Sequence, residues 1–313
     1  MPRKTARTVF LVVFILVFLQ VFCQRTAVHS EGPLRITTTI YPIFDMVRNL
    51  TAKGDSVEFL IPPRANPHTY EPSPSVLQRL RQADFLIGIA PGFDGWPAEY
   101  SAENLKIIWL ADKIGLNGHE GHNHGKAGRT HDHTHSINPH IWLSISMAEK
   151  ICRVISFELA EINPHKAGEY ETRLDAYIQE LAALHEKCRE LFQSAEYRSF
   201  FQWHSAWEFF AEDYGLTIAG TLTQGHGDEP PLRHFTNMVN KARKMETSVL
   251  VAEQHMENKT LDTFTRETGA RIVRLDAIGD PEDPSFSTYL NLMWTNAGML
   301  RKAMSGKQEK NGF

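Results

Sequence analysis

The stretch from Pro164 to about Gln193 constrains the fold most, because some 30 residues pass without another proline and without a glycine after Gly168. Apolar residues recur at Tyr170, Leu174, Tyr177, Ile178, Leu181, Leu184, Cys188 and Leu191, chiefly in steps of three and four. That periodicity predicts one helix with a narrow apolar stripe, capped at Asn163-Pro164. At 1.5 Å per residue it extends roughly 45 Å, enough to run the length of a two-lobed protein. Such a helix is a stiff backbone between lobes rather than a flexible linker.

On either side, strands alternate with helices. Before the long helix, strands are expected at 34–40, 57–61, 84–90 and 106–110. A helix follows Tyr41-Pro42, and another is begun by Ser73-Pro74, where proline takes the first helical position. Residues 141–162 read as a further helix. Beyond the long helix, strands at 199–203, 217–222, 248–252 and 271–275 alternate with helices at 206–214, 231–245, 261–268 and 286–304. The expected fold class is α/β: two lobes, each a mostly parallel sheet flanked by helices, joined by one long rigid helix. A chain of 313 residues can give each lobe its own core. The expected division is 31–163, 164–193 and 194–313.

In sheets of this kind ligands bind beyond the carboxyl ends of the strands. Four residues stand there or in adjoining turns: His68 in the proline-stiffened Asn66-Pro67-His68-Thr69-Tyr70-Glu71-Pro72, His140 in Asn138-Pro139-His140-Ile141-Trp142, His204 in Phe201-Gln202-Trp203-His204-Ser205, and Asp276 in Val273-Arg274-Leu275-Asp276-Ala277. A lone histidine is ordinarily a hydrogen-bonded core or surface residue, and a strand-end aspartate a turn residue. Two such residues in each half, all at strand ends, instead describe a metal centre in the inter-lobe cleft. Three imidazoles and a carboxylate complete a tetrahedron suited to zinc. The same histidines admit a competing reading, a secreted zinc hydrolase with an open water position and Glu71 as base. No H-E-x-x-H motif supports it. If Asp276 binds the metal, the site is closed and not catalytic.

The N-terminus differs from the rest. Arg3, Lys4 and Arg7 precede the apolar run Val9 to Leu19, a charged segment and a hydrophobic segment too short for a transmembrane helix. This reads as a signal peptide over residues 1–30, cut before Glu31, with lipidation of Cys23 as the alternative. Its removal takes four basic side chains and leaves 29 against 37 acidic ones, a balance that argues against a nucleic-acid partner. In an oxidising compartment Cys152 and Cys188 invite a disulfide. An antiparallel hairpin turning at Pro164 offsets them by roughly 18 Å, which favours two free core cysteines.

Between residues 117 and 136 the periodicity stops, and glycines alternate with His119, His122, His124, His131, His133 and His135. With almost nothing apolar to fold it, this segment is expected to be a mobile loop. Neutral imidazoles in a flexible chain can collect zinc or copper without fixed geometry. The bland readings are a solvated insert or a purification tag.

The sequence resembles the zinc and manganese-binding solute receptors of bacterial ABC importers, the group with a rigid inter-lobe helix. The resemblance rests on Pro67-His68-Thr69-Tyr70-Glu71-Pro72-Ser73-Pro74, on Pro139-His140-Ile141-Trp142-Leu143, and on the order and context of His204 and Leu275-Asp276. It implies a monomeric extracytoplasmic receptor, not an enzyme, that delivers its ion to a membrane permease. His68 and His140 would come from the first lobe, His204 and Asp276 from the second. Manganese-preferring members commonly use two histidines and two carboxylates, so the third nitrogen of His204 and the histidine loop favour Zn2+ over Mn2+. Asn138 and Ser144 stand where aspartates are common, which is expected to weaken the support behind His140. Because zinc binds as protons leave the imidazoles, affinity should fall in acid.

Overall fold

The computed structural model describes residues 32–102, 105–116, 138–223, 229–245, 249–254, 256 and 258–305. The signal segment with Cys23 and the histidine-rich segment 117–136 lie outside the described residues.

The first sheet has strands β1 (Arg35–Thr38), β2 (Ser56–Phe59), β3 (Phe85–Gly88) and β4 (Lys106–Trp109), in the order β2-β1-β3-β4 with every pair parallel. The second has β5 (Ser199–Gln202), β6 (Thr217–Thr221), β7 (Val249–Glu253) and β8 (Arg271–Leu275), in the order β6-β5-β7-β8, again all parallel. Both sheets therefore reverse their winding next to the first strand, between β1 and β3 and between β5 and β7. Connections leave those two strand ends in opposite directions, and the crevice so formed is where such sheets take ligands.

The long helix runs Ala167–Gln193, 27 residues or roughly 40 Å, after a 3-10 turn at Pro164–Lys166. Tyr170, Tyr177, Leu181, Leu184, Cys188 and Phe192 form its buried face. Burial of each large apolar side chain contributes about 1.5–3 kcal/mol, so this stripe fixes the helix against both lobes. The buried core on which it lies is continuous from Leu34 and Ile36 of the first lobe to Leu275 and Met304 of the second.

The expected helix over 141–162 is broken. Ile141–Leu143 is a 3-10 turn, and the α-helix begins at Ile145 and ends at Ile162. Ser144 makes the break: its backbone is extended and its Oγ accepts from the Met147 N–H at 3.1 Å, a side-chain cap. The helix expected at 206–214 shortens to Glu208–Asp213, because Gln202 Oε1 accepts from the N–H groups of Ala206 and Trp207 at 3.4 and 3.1 Å.

Polar contacts tie the lobes together near the cleft. Trp142 Nε1 donates to Ala277 O at 2.6 Å, and Tyr289 donates its hydroxyl to Trp142 O at 2.8 Å and its N–H to Asp45 Oδ2 at 2.7 Å. Ser144 and Ser146 donate their hydroxyls to Asp213 at 2.8 and 2.6 Å. Cys152 and Cys188 are both buried and both free.

Candidate metal centre

Each histidine of the centre is delivered by a stiff local turn. After β2 the chain passes Pro62-Pro63 and Arg64, whose φ of 69° turns it sharply. Asn66 then caps the 3-10 turn Pro67–Thr69, its side chain accepting from the His68 N–H at 2.9 Å. His68 is the most exposed of the three histidines, its ring edge-on to Phe93 with centroids 4.7 Å apart.

His140 is almost fully buried, at 3% exposure. Asn138 Oδ1 accepts from its backbone N–H at 3.0 Å and from Nδ1 at 2.8 Å. An oxygen beside Nδ1 places the ring proton on that atom and leaves the lone pair of Nε2 for the cleft. Asn138 thus takes the orienting place that an aspartate would hold, without the carboxylate's charge.

His204 follows β5 and is 6% exposed. Its Nδ1 lies 2.7 Å from Oε1 of Glu253, the last residue of β7. A carboxylate beside Nδ1 leaves Nε2 as the ring nitrogen an ion would take, the arrangement common behind metal-binding histidines.

The three rings converge. His68 Nε2 and His140 Nε2 are 3.2 Å apart, and one ligand atom from each of the three histidines lies within 4.8 Å of the others. Two nitrogens each bonded to a tetrahedral zinc at 2.0–2.1 Å are about 3.3 Å apart, so the 68–140 pair already has the spacing of two corners. The open cleft has a volume of about 440 Å³, and Asp276 and Gln254 line it together with His68 and Phe93.

Asp276 is held differently. It follows β8, with Oδ1 accepting from the N–H groups of Ile278 and Gly279 at 2.8 and 2.9 Å, while Asn296 brackets its backbone through N and O. It lines the same cleft but is not in the cluster of three histidines.

Sequence reasoning missed Glu253. The rule that selected Asp276, a carboxylate closing a strand, applies equally to Glu253 at the end of β7 and was the available signal. It also missed Glu208, which accepts from Asn138 Nδ2 at 2.7 Å and has no marking in the sequence. Glu71, the base a hydrolase would require, does not line the cleft.

Residues 36–303 match the family described as "Zinc-uptake complex component A periplasmic", ZnuA. Among relatives, the chain is 26% identical over 285 residues to the zinc-binding lipoprotein AdcA of Streptococcus pneumoniae serotype 4, covering 87% of this chain and 56% of that one. It thus spans little more than half the length of that relative. It is 25% identical over 279 residues to the high-affinity zinc uptake system protein ZnuA of Bacillus subtilis, covering 87% and 88% of the two chains. A crystal structure of ZnuA superposes with a TM-score of 0.72 at 24% identity, over 88% of this chain and 100% of the other. The Mn2+ complex of FpvC from Pseudomonas aeruginosa superposes equally well, with a TM-score of 0.72 at 24% identity, over 87% of this chain and 98% of the other. The shared fold alone therefore does not choose the metal.

Proposed function

The chain belongs to the family of periplasmic zinc-uptake components, and from that premise we propose that it is an extracytoplasmic receptor that binds Zn2+ and delivers it to the permease of an ABC importer. The ion is cargo, not a resident cofactor, and the protein is a receptor rather than an enzyme. His68 and His140 come from a first lobe over 31–163, His204 and Asp276 from a second over 194–313, and the helix between them spans 164–193. The observation that carries the reading is the convergence of three imidazoles, one ring nitrogen of each within 4.8 Å of the others, with Nδ1 of His140 on Asn138 and Nδ1 of His204 beside Glu253.

Three nitrogens form a softer donor set than two nitrogens and two carboxylates, and they favour Zn2+ over Mn2+. Asp276, through Oδ2, closes the fourth position and leaves no coordination site for a hydrolytic water. The cross-lobe bonds of Trp142, Tyr289 and Asp213 support a small opening motion rather than a wide hinge. Residues 1–30 act as the export signal, with Cys23 as a lipid attachment point in the alternative arrangement. Among the described residues no helix is long and apolar enough to cross a membrane. The segment 117–136 gathers ions at low affinity for the buried site, and the receptor works as a monomer.

Metal choice is tested by loading the protein with zinc and challenging it with manganese. Excess Mn2+ should leave Zn2+ in place, and His204→Glu should narrow the preference. Equal displacement of zinc from both proteins would favour the manganese reading.

A further inference from the structure

The carboxylate of Glu208 sits between two amides that both present donors to it. On one side Asn138 Nδ2 donates to Oε2 at 2.7 Å; on the other Gln202 Nε2 donates to Oε1 at 2.6 Å, joined by the Ser205 hydroxyl at 2.5 Å. Amide groups can be assigned either way round by shape, but here backbone N–H groups fix both. The His140 N–H donates to Asn138 Oδ1, and the N–H groups of Ala206 and Trp207 donate to Gln202 Oε1. Each amide must therefore turn its NH2 toward Glu208, and only a group that accepts through both ends satisfies both.

We propose that Glu208 is a positioning residue for the metal centre: by holding Asn138 with Oδ1 toward His140, it locks that imidazole in the Nδ1–H form with Nε2 bare toward the ion. Glu208 belongs to the second lobe and Asn138 to the first, so the orientation of one lobe's ligand is set by the other lobe's carboxylate. Ser205, which also donates to Glu208, is the neighbour of the ligand His204, so one carboxylate braces both sides of the cleft. This inference rests on His140 being a metal ligand, and its tests are separable from a test of that assignment.

Donor and acceptor logic gives an uncommon prediction. In Glu208→Gln the new NH2 must face either Asn138 Nδ2 or Gln202 Nε2, donor against donor. In Asn138→Asp two carboxylates meet at the 2.7 Å contact that Asn138 now makes with Glu208. In the double variant every bond returns. The aspartate introduced at position 138 accepts from His140, the glutamine introduced at position 208 donates to that aspartate, and the glutamine carbonyl accepts from Gln202 and Ser205. The two single changes should each damage the site and together repair it.

The experiment measures Zn2+ affinity by chelator competition for the full mature chain, Glu208→Gln, Asn138→Asp, the double variant and His140→Ala. Alongside, nitrogen NMR of the metal-free imidazole of His140 reads its tautomer. Each single variant should lose about 10–100-fold in affinity, the range for groups that orient metal-bound histidines; Glu208→Gln, which frees Asn138 to turn, should also mix the His140 tautomers, whereas Asn138→Asp, whose carboxylate only accepts, should keep the Nδ1–H form. The double variant should recover to within a few-fold and restore the Nδ1–H form. Additive losses in the double variant, or an unmixed tautomer in Glu208→Gln, would overturn the role of Glu208 even if His140→Ala abolishes binding. If His140→Ala binds zinc as the unaltered chain does, the ligand assignment itself fails.

Discussion

Nδ1 of His204 lies 2.7 Å from Oε1 of Glu253, each residue standing at the carboxyl end of its strand, β5 and β7, which are neighbours at the point where the second sheet reverses its winding. A carboxylate there holds the ring with its other nitrogen available to an ion. Glu253→Ala should therefore weaken zinc binding about 10–100-fold, while Glu253→Gln, whose carbonyl can still accept from Nδ1–H, should lose less. Chelator competition measures both, and equal losses would mean that the hydrogen bond is not what matters.

Asp94 is fully buried, and burial pushes its carboxyl up to about 6 against the hydrogen bonds from Thr39, Ile89 and Ala90 that favour the charged form. Between about pH 4 and 6 the folded chain keeps a proton that the unfolded chain has released, so stability falls as pH rises through this window. The slope is about 1.4 kcal/mol per pH unit. Its stabilising share is complete below the unfolded value of 3.8 and gone above about 6. Urea unfolding of metal-free protein should show this slope in excess of that in Asp94→Asn, which has no proton to release. Parallel pH profiles would refute it.

Asp213 accepts the Ser144 and Ser146 hydroxyls and the Ser146 N–H at 3.2 Å, pinning the start of the helix Ile145–Ile162 to the second lobe. Asp213→Ala should cost about 2–3 kcal/mol, read as a lower denaturant midpoint, because bonds to a charged acceptor are the stronger class. An unchanged midpoint would show that the lobes hold without this clamp.

Cys152 and Cys188 are fully buried, and burial pushes the Cys152 thiol far up and that of Cys188 to about 11. Neither forms a thiolate near neutral pH. A thiol reagent should label neither in native mature protein and both in denaturant. Resistance in denaturant without reductant would reveal a disulfide.

The long helix and the eight strands were legible because their signals are local. Tyr170 to Leu191 repeats with helical period, and β8 spans Arg271–Leu275, the same residues that its β-branched and apolar run marked. The three histidines were legible because a turn chemistry of Pro and Asn sits beside two of them and an aromatic frame beside the third. What was not legible depends on partners distant in sequence. Glu208 meets Asn138 across 70 positions, and Glu253 reaches His204 from another strand. The break at Ser144 was hidden for a different reason: Ile141 to Leu143 are apolar and buried whether helical or not, so their pattern could not reveal a 3-10 turn.

Calorimetry of zinc binding, with manganese as competitor, decides between the cleft and the histidine-rich segment when made on the mature chain, on a variant lacking residues 117–136, and on His204→Ala. One tight zinc site should survive loss of the segment, resist manganese and disappear in His204→Ala. Tight binding that vanishes with the segment and is untouched by His204→Ala would contradict this, and would move the site away from His68, His140, His204 and Asp276.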